Sequence, residues 1–214
     1  MQIELFPATT ALDLPPGILL KAGFLSLERQ SALLAAVAEV AALAPLARPR
    51  TPRGGQTSAA MTNCGRAGWW SDSTGYGYQA ICPGTGRPWP TMPPEFAAAA
   101  AAAMAESPWP AFAPDACLIN FYRPDAKMGL HQDKDERDFR QPIVTMCLGD
   151  DADFLIGGAK RADTVRALRV RSGDVLMFGG ESRLRFHGVR KIHPGSGPFP
   201  SLGGRYSLTF RKAL

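Results

Sequence analysis

The ten residues GLHQDKDERD at 129–138 place a histidine two positions before an aspartate inside a run of charge. In an extended chain side chains alternate, so Gly129, His131, Asp133 and Asp135 would share one face, with Leu130, Gln132 and Lys134 on the other. An imidazole and a carboxylate converging in this way admit three readings: a solvated charged patch, a calcium loop, or two ligands of a non-haem iron. The calcium loop fails. Starting at Asp133 it needs an oxygen ligand at its fifth position and glycine at its sixth, where the chain has Arg137 and Asp138. A lone H-x-D more often faces water than metal, so the remaining choice rests on the rest of the chain.

The chain has three histidines, His131, His187 and His193. His187 lies in RLRFHGV, a strand-like run after the turn FGGES. Two imidazoles and one carboxylate hold iron(II) on one face of an octahedron and leave the other positions to a co-substrate and oxygen. His131, Asp133 and His187 meet that demand if strands far apart in sequence pair; otherwise His187 is a core histidine with its hydrogen bonds satisfied. In GGRYSLTFR an extended strand turns Arg205, Ser207, Thr209 and Arg211 to one face and Tyr206, Leu208 and Phe210 to the other. Guanidinium forks bind carboxylates bidentately, so two on one face suit a small dicarboxylate. In CLINFYRP, Asn120 and Tyr122 share a face with Leu118 and add an amide and a phenol. Each arginine alone could be a strand-edge charge in water; the concurrence of all these groups in one half of the chain favours a site.

Such residues need a framework that joins distant strands. From about residue 115 the chain is a series of short strand-like runs, among them CLINFY, IVTMCLG, DFLIG, VRALRV, DVLMF and RYSLTFR, divided by Gly, Pro and Asp turns. Without repeating helices for parallel crossovers, this spacing predicts a double-sheet sandwich or barrel. Upstream, GILLKAGF at 17–24 reads as a short strand. Ser26 can then cap a helix over 27–43 with an apolar stripe of Leu27, Leu34, Val37, Val40 and Ala41, ended by Pro45 and Pro49. PPEFAAAAAAAMA predicts a second helix over 94–105. Between the helices, RPRTPRGGQTS at 48–58 is a basic loop, either a solvated connector or a phosphate contact. The stretch 61–90 interleaves Trp69, Trp70, Tyr76, Tyr78 and Trp89 with small and polar residues. With few aliphatic neighbours, these rings are open to something flat such as a base, or they pin the loop to itself.

At 214 residues and 45% hydrophobic, the chain can bury a substantial core in one folded unit. No apolar run is long enough to cross a membrane, and MQIELFPATT has no basic segment ahead of an apolar one, so a cytoplasmic location is expected. Cys64, Cys82, Cys117 and Cys147 form no C-x-x-C pair and adjoin no histidine, which argues for buried thiols against a zinc site or a disulfide framework. A net charge of +5 favours polyanions without separating a nucleic-acid partner from an ordinary basic protein.

Taken in order, MTNCGRAGWW, PDACLINFYRPDAKMGLHQDKDERD, FGGESRLRFHG and RYSLTFR resemble the AlkB family of iron(II)- and 2-oxoglutarate-dependent nucleic-acid dealkylases. The likeness runs from about residue 55 to 214 and more loosely before that. It implies one dioxygenase domain over 1–214, mainly β with flanking helices. Residues 1–47 would form an N-terminal strand and helix, 48–90 a nucleotide-recognition lid, 91–112 a supporting helix, and 113–214 a double-stranded β-helix, or jelly-roll, core. The resemblance assigns His131, Asp133 and His187 to Fe(II), Arg205 with Tyr122 to the distal carboxylate of 2-oxoglutarate, and Arg211 with Asn120 to the end that chelates iron. Ser207 stands where the family pattern has Asn, so one hydrogen bond to the co-substrate is replaced or lost. In the lid, Trp69, Tyr76 and Tyr78 would contact the nucleotide and Met61 would line the same region. Asp135 would read the base near its exocyclic nitrogen, and Arg161 would lie at the substrate edge. Trp70 and Gly77 depart from the pattern. The implied reaction uses O2 to demethylate bases of the 1-methyladenine or 3-methylcytosine type in single-stranded DNA, with RNA or double-stranded DNA as further substrates. A monomer would release succinate, carbon dioxide and formaldehyde. Chemistry on a base requires it out of the stack, which gives an aromatic lid its use.

Three other functions stay open. An oxygenase of the same core acting on a protein or a small molecule has no need of a basic loop. A metal-dependent hydrolase leaves the paired arginines without purpose, and a non-catalytic nucleic-acid-binding module leaves the triad without one.

Overall fold

The computed structural model of the protein describes residues 3–5, 14–52, 54–105, 107–110 and 112–214. Most of MQIELFPATT and Arg53 of the basic loop lie outside the described residues. In chain order the strands begin with β1 (Ile3–Leu5), β2 (Ile18–Lys21), β3 (Ala60–Gly65), β4 (Gly68–Asp72), β5 (Gly75–Gln79), β6 (Ile81–Cys82) and β7 (Arg87–Pro88). They continue with β8 (Ala116–Tyr122), β9 (Met128–His131), β10 (Ile143–Gly149), β11 (Asp151–Ile156), β12 (Val165–Val170), β13 (Val175–Phe178), β14 (His187–His193) and β15 (Arg205–Arg211). Helix α1 (Leu27–Leu43) follows β2 and helix α2 (Pro94–Ala105) follows β7.

Two sheets make the core. The larger runs β2-β13-β10-β15-β8-β3 and is antiparallel throughout; the smaller runs β1-β12-β11-β14-β9, with β1 alone parallel to its neighbour. This is the jelly-roll expected, with helices against one side. Alternation along β15 decides which face meets what. Leu208 and Phe210 join Cys117, Ile119, Met146 and Met177 in a core beneath both helices, while Ser207 and Thr209 look the other way, into a cavity between the sheets. A second core cements the sheets, with Ile143, Leu176 and Phe178 from the larger against Ile156, Leu168, Val170 and Ile192 from the smaller.

Helix α1 starts as its sequence dictates, with the Ser26 hydroxyl accepting from the Arg29 amide at 3.3 Å. Its buried stripe is rotated from the expected one. Leu33, Ala36, Val37 and Val40 are buried in the core, together with Gln30, whereas Leu27 is 60% exposed. In α2, Phe96, Ala100, Ala103 and Met104 are buried at helical spacing, and Phe96 meets Phe210 edge-on at 5.8 Å. Burying each such ring stabilises the fold by about 1.5–3 kcal/mol. All four cysteines are free and buried. Among the described residues, no helix is long and apolar enough to cross a membrane.

Three boundaries differ from the sequence reading. The segment MTNC, counted with the aromatic stretch in sequence, lies in β3, the edge of the larger sheet. The aromatic stretch after it forms two hairpins, β4–β5 and β6–β7, where loops were expected. RLRF is not strand either: a 3₁₀ turn at Gly180–Ser182 carries the chain round, and β14 begins only at His187.

Candidate active site

His131 and His187 face each other as cross-strand partners on β9 and β14, their ring centroids 4.4 Å apart. Gly188 permits this approach. A Cβ there would lie 2.6 Å from the Met128 carbonyl oxygen, so any larger residue would push β14 off β9. Each histidine directs its Nδ1 at a backbone carbonyl two residues earlier, His131 to Gly129 at 2.9 Å and His187 to Arg185 at 3.0 Å. A carbonyl only accepts, so both Nδ1 atoms carry the proton and both Nε2 lone pairs are left for a ligand. Burial first, then the neighbouring His131, pushes the His187 imidazole down to about 4, which keeps it neutral at pH 7.

Asp133 completes the group, though not by the strand alternation the sequence suggested. β9 stops at His131, and Asp133 stands in the irregular segment beyond it. Its Oδ1 is 3.7 Å from His131 Nε2 and its Oδ2 is 3.7 Å from His187 Nε2. Those separations are less than two metal–nitrogen bonds of about 2.0–2.1 Å each, as for donors meeting one ion at an angle rather than from opposite sides. Burial works to raise the Asp133 carboxyl, but the Arg211 guanidinium and both imidazoles outweigh it and hold the group well below the usual carboxylate range. Two imidazoles and one carboxylate, with donor atoms all within 4.8 Å of one another, are a donor set for Fe(II).

The triad opens on a cavity of about 620 Å³. Its wall is the inner face of β8, β15 and β10, where register sets Tyr122 beside Arg205, and Asn120 beside Ser207 beside Cys147. Arg205 is 2% exposed and spends one Nη on the Asp150 carbonyl at 3.0 Å. Burial keeps the Tyr122 phenol and the Cys147 thiol protonated, although Arg205 acts the other way on both. The Asn120 amide is buried with its oxygen unpartnered, which is what a polar wall prepared for a ligand leaves over. Arg211, at the opposite end of β15, donates from Nη2 to Asp133 Oδ2 at 2.7 Å. The arginine pair, the amide and the phenol thus fit 2-oxoglutarate, with one arginine beside the triad and the other remote from it.

The hairpin β4–β5 stands at the mouth. Trp69 stacks on Tyr76 at 5.7 Å, and its indole N–H donates to Asp135 Oδ2 at 2.6 Å. Arg161, over the Phe186 ring at 4.9 Å, lines the same cavity. Met61 also lines it, from β3 opposite Asn120 and not from the hairpin. Tyr78, the cross-strand partner of Trp69, is not among the residues lining the cavity; its phenol donates to Glu136 Oε1 at 2.6 Å and accepts from Arg211 Nη1 at 3.4 Å. Sequence reasoning missed four residues that hold this arrangement. Asn63 clasps the Trp69 backbone through both ends of its amide at 3.0 Å. Glu136 and Arg183 form a buried pair at 2.9 Å, and Cys147 shares the cavity wall. Glu136 stood in the charge run but fell on the face that alternation set aside; the other three carried no spacing signal.

A family model described as the 2OG-Fe(II) oxygenase superfamily matches residues 17–211. The chain is 46% identical over 207 residues to an alpha-ketoglutarate-dependent dioxygenase AlkB homolog of Caulobacter vibrioides, covering 94% of this chain and 90% of that one. It is 46% identical over 181 residues to alpha-ketoglutarate-dependent dioxygenase AlkB of Escherichia coli, covering 85% and 83%. Among solved structures, OsALKBH1 superposes with a TM-score of 0.81 at 33% identity, covering 93% of this chain and 98% of that one.

Proposed function

Because this chain belongs to the AlkB family of alpha-ketoglutarate-dependent dioxygenases, with Fe(II), 2-oxoglutarate and O2 as its reactants, we propose that it removes alkyl groups from nitrogen atoms of damaged nucleic-acid bases. The preferred substrate is single-stranded DNA carrying 1-methyladenine or 3-methylcytosine. RNA and double-stranded DNA are further substrates, and the protein acts as a monomer. The observation that carries this reading is a triad of metal-ligating type at the foot of a cavity whose mouth is the Trp69–Tyr76 stack.

His131, Asp133 and His187 would hold iron, and the Nδ1 contacts of both imidazoles with backbone carbonyls already orient the rings for it. Arg205 and Tyr122 would bind the distal carboxylate of 2-oxoglutarate, while Asn120 and Arg211 steady the end next to the metal. Ser207, between Asn120 and Cys147, offers a hydroxyl in place of a longer amide. Bound together, iron and 2-oxoglutarate supply the oxidation of an N-methyl carbon by O2, with succinate, carbon dioxide, formaldehyde and the unmethylated base as products. The chain's own part is to hold the base. Trp69 and Tyr76 offer ring faces and edges to a flipped nucleotide, Asp135 is fixed by the indole N–H so that its other oxygen faces an exocyclic amine, and Arg161 flanks the entrance. Cations around the mouth would hold neighbouring phosphates, with affinity falling as salt rises.

The test is product analysis. With Fe(II), 2-oxoglutarate and O2, an oligonucleotide carrying 1-methyladenine should yield formaldehyde and succinate in equal amounts and regain adenine. Succinate without formaldehyde, at a rate indifferent to the oligonucleotide, would overturn base dealkylation in favour of another oxygenase substrate.

A further inference from the structure

No strand holds Asp133 in place. It lies past the end of β9, between two imidazoles that are fixed by cross-strand register. Two guanidiniums fix it: Arg211 binds its carboxylate, and Arg183 binds its backbone. Arg183, 3% exposed, donates from Nη1 to the Asp133 carbonyl at 2.7 Å, from Nε to the Gln141 carbonyl at 2.9 Å and from Nη2 to Glu136 Oε2 at 2.9 Å. Its flat face lies 5.5 Å over the Phe139 ring. Gln132 adds a bond from its Nε2 to the Leu184 carbonyl at 2.6 Å. The segment from Gln132 to Gln141 is thereby stapled to the turn that follows Gly180–Ser182, and that turn leads directly into His187.

We propose that Arg183 is a positioning residue of the iron site. The turn delivers His187 through the chain and the Asp133 backbone through the Arg183 fork, so one structure reaches two of the three donors, while Arg211 orients the Asp133 carboxylate. The proposal rests on the reading that His131, Asp133 and His187 hold the metal. Arginine is the residue type this task requires: a planar fork reaches three acceptors in fixed directions, which a lysine ammonium at the same position does not. A buried ion pair such as Arg183–Glu136 is weak evidence for stability by itself, and its three-way reach onto the metal-bearing segment is what points to placement.

The experiment compares wild type, Arg183→Lys, Glu136→Gln and His131→Ala in metal binding, with Mn(II) followed by electron paramagnetic resonance and Co(II) by visible absorption, all without turnover. Circular dichroism and melting temperature report the fold, and 2-oxoglutarate affinity of the metal-free protein reports the cavity wall. Arg183→Lys should bind Mn(II) about 10- to 100-fold more weakly, the range seen when partners of metal ligands are removed, and should alter the Co(II) spectrum. Its circular dichroism should stay native and its 2-oxoglutarate affinity within about twofold. Glu136→Gln, which loosens the fork without removing it, should show a smaller loss in the same direction and decides the matter if Arg183→Lys does not fold. Wild-type metal affinity and Co(II) spectrum in a folded Arg183→Lys, or in Glu136→Gln in its place, would overturn the proposal. If instead His131→Ala binds metal as well as wild type does, it is the triad reading that fails.

Discussion

Arg211 and Arg205 occupy the same strand face but stand in different electrostatic company. Arg211 is enclosed by acids: Asp133 at 2.7 Å and Glu136 at 3.4 Å, with the Tyr78 phenol alongside. Among the described residues Arg205 makes no ion pair with a carboxylate and leans on a backbone carbonyl, so its charge is the one available to the proposed dicarboxylate. Arg205→Lys should therefore weaken 2-oxoglutarate binding by about one to two orders of magnitude, since it keeps the charge and loses the fork. Oligonucleotide affinity should hold. Titration with each ligand separately checks it, and a variant that keeps 2-oxoglutarate affinity but loses oligonucleotide affinity would reverse the assignment. Asp133→Ala should abolish turnover because a carboxylate ligand is gone. The variant should still fold, because Glu136 remains to neutralise Arg211. Circular dichroism and a turnover assay on the same preparation test both halves, and full activity would sink the iron assignment.

The hairpin β4–β5 shows how an element is aimed. Asn63 sits in β3, wholly buried, and its amide binds the Trp69 N–H and carbonyl as a neighbouring strand would, so the larger sheet dictates where the indole stands. Trp70, next in line, turns the other way and packs on Trp89 at 6.1 Å within a small core of its own. Stacking on an aromatic ring is worth roughly 1–3 kcal/mol per base. Trp69→Ala should thus lower affinity for a methylated oligonucleotide by about one to two orders of magnitude, at about 1.4 kcal/mol per factor of ten, with metal and 2-oxoglutarate binding intact. Trp70→Ala should instead lower the melting temperature. If Trp69→Ala lost melting temperature and kept affinity, the hairpin would be scaffold rather than lid. The alternation in RYSLTFR and CLINFY was legible in sequence because period two survives wherever a strand has one apolar face, and both helices were legible from their caps and composition. The hairpin was not, since glycines and aromatics hide alternation, nor was the placement of Asp133, which depends on side-chain bonds from a turn some fifty residues away.

Across the whole molecule, the smaller sheet supplies both imidazoles while the larger supplies the wall proposed for the co-substrate, so the site exists only as long as the smaller sheet keeps its shape. Asp153 ties three of its strands. From β11 it accepts from Arg169 on β12 at 3.0 Å and from Arg190 on β14 at 2.8 Å, with His193 at 3.0 Å. The tie crosses the irregularity between Asp153 and Phe154, and Phe154 stacks on His187 at 5.8 Å. Burial works to raise the Asp153 carboxyl, but the bonds from Arg190, His193 and Arg169 prevail and hold it at about 2. An unfolded aspartate titrates near 3.9. The folded state therefore binds this proton less readily than the unfolded chain, so the tie stabilises fully above about pH 4 and is lost as pH falls through about 2. Arg169 and Arg190 are partly in water, which screens them, and a contribution on the order of 1–2 kcal/mol at pH 7 follows. For a chain of this size that is roughly 2–8 °C in melting temperature. Asp153→Asn should accordingly melt below wild type by that margin at pH 7, with the gap closing between pH 4 and pH 2 as the wild-type carboxylate is protonated. A gap that stays constant down to pH 2 would mean that the Asp153 charge does not hold the sheet.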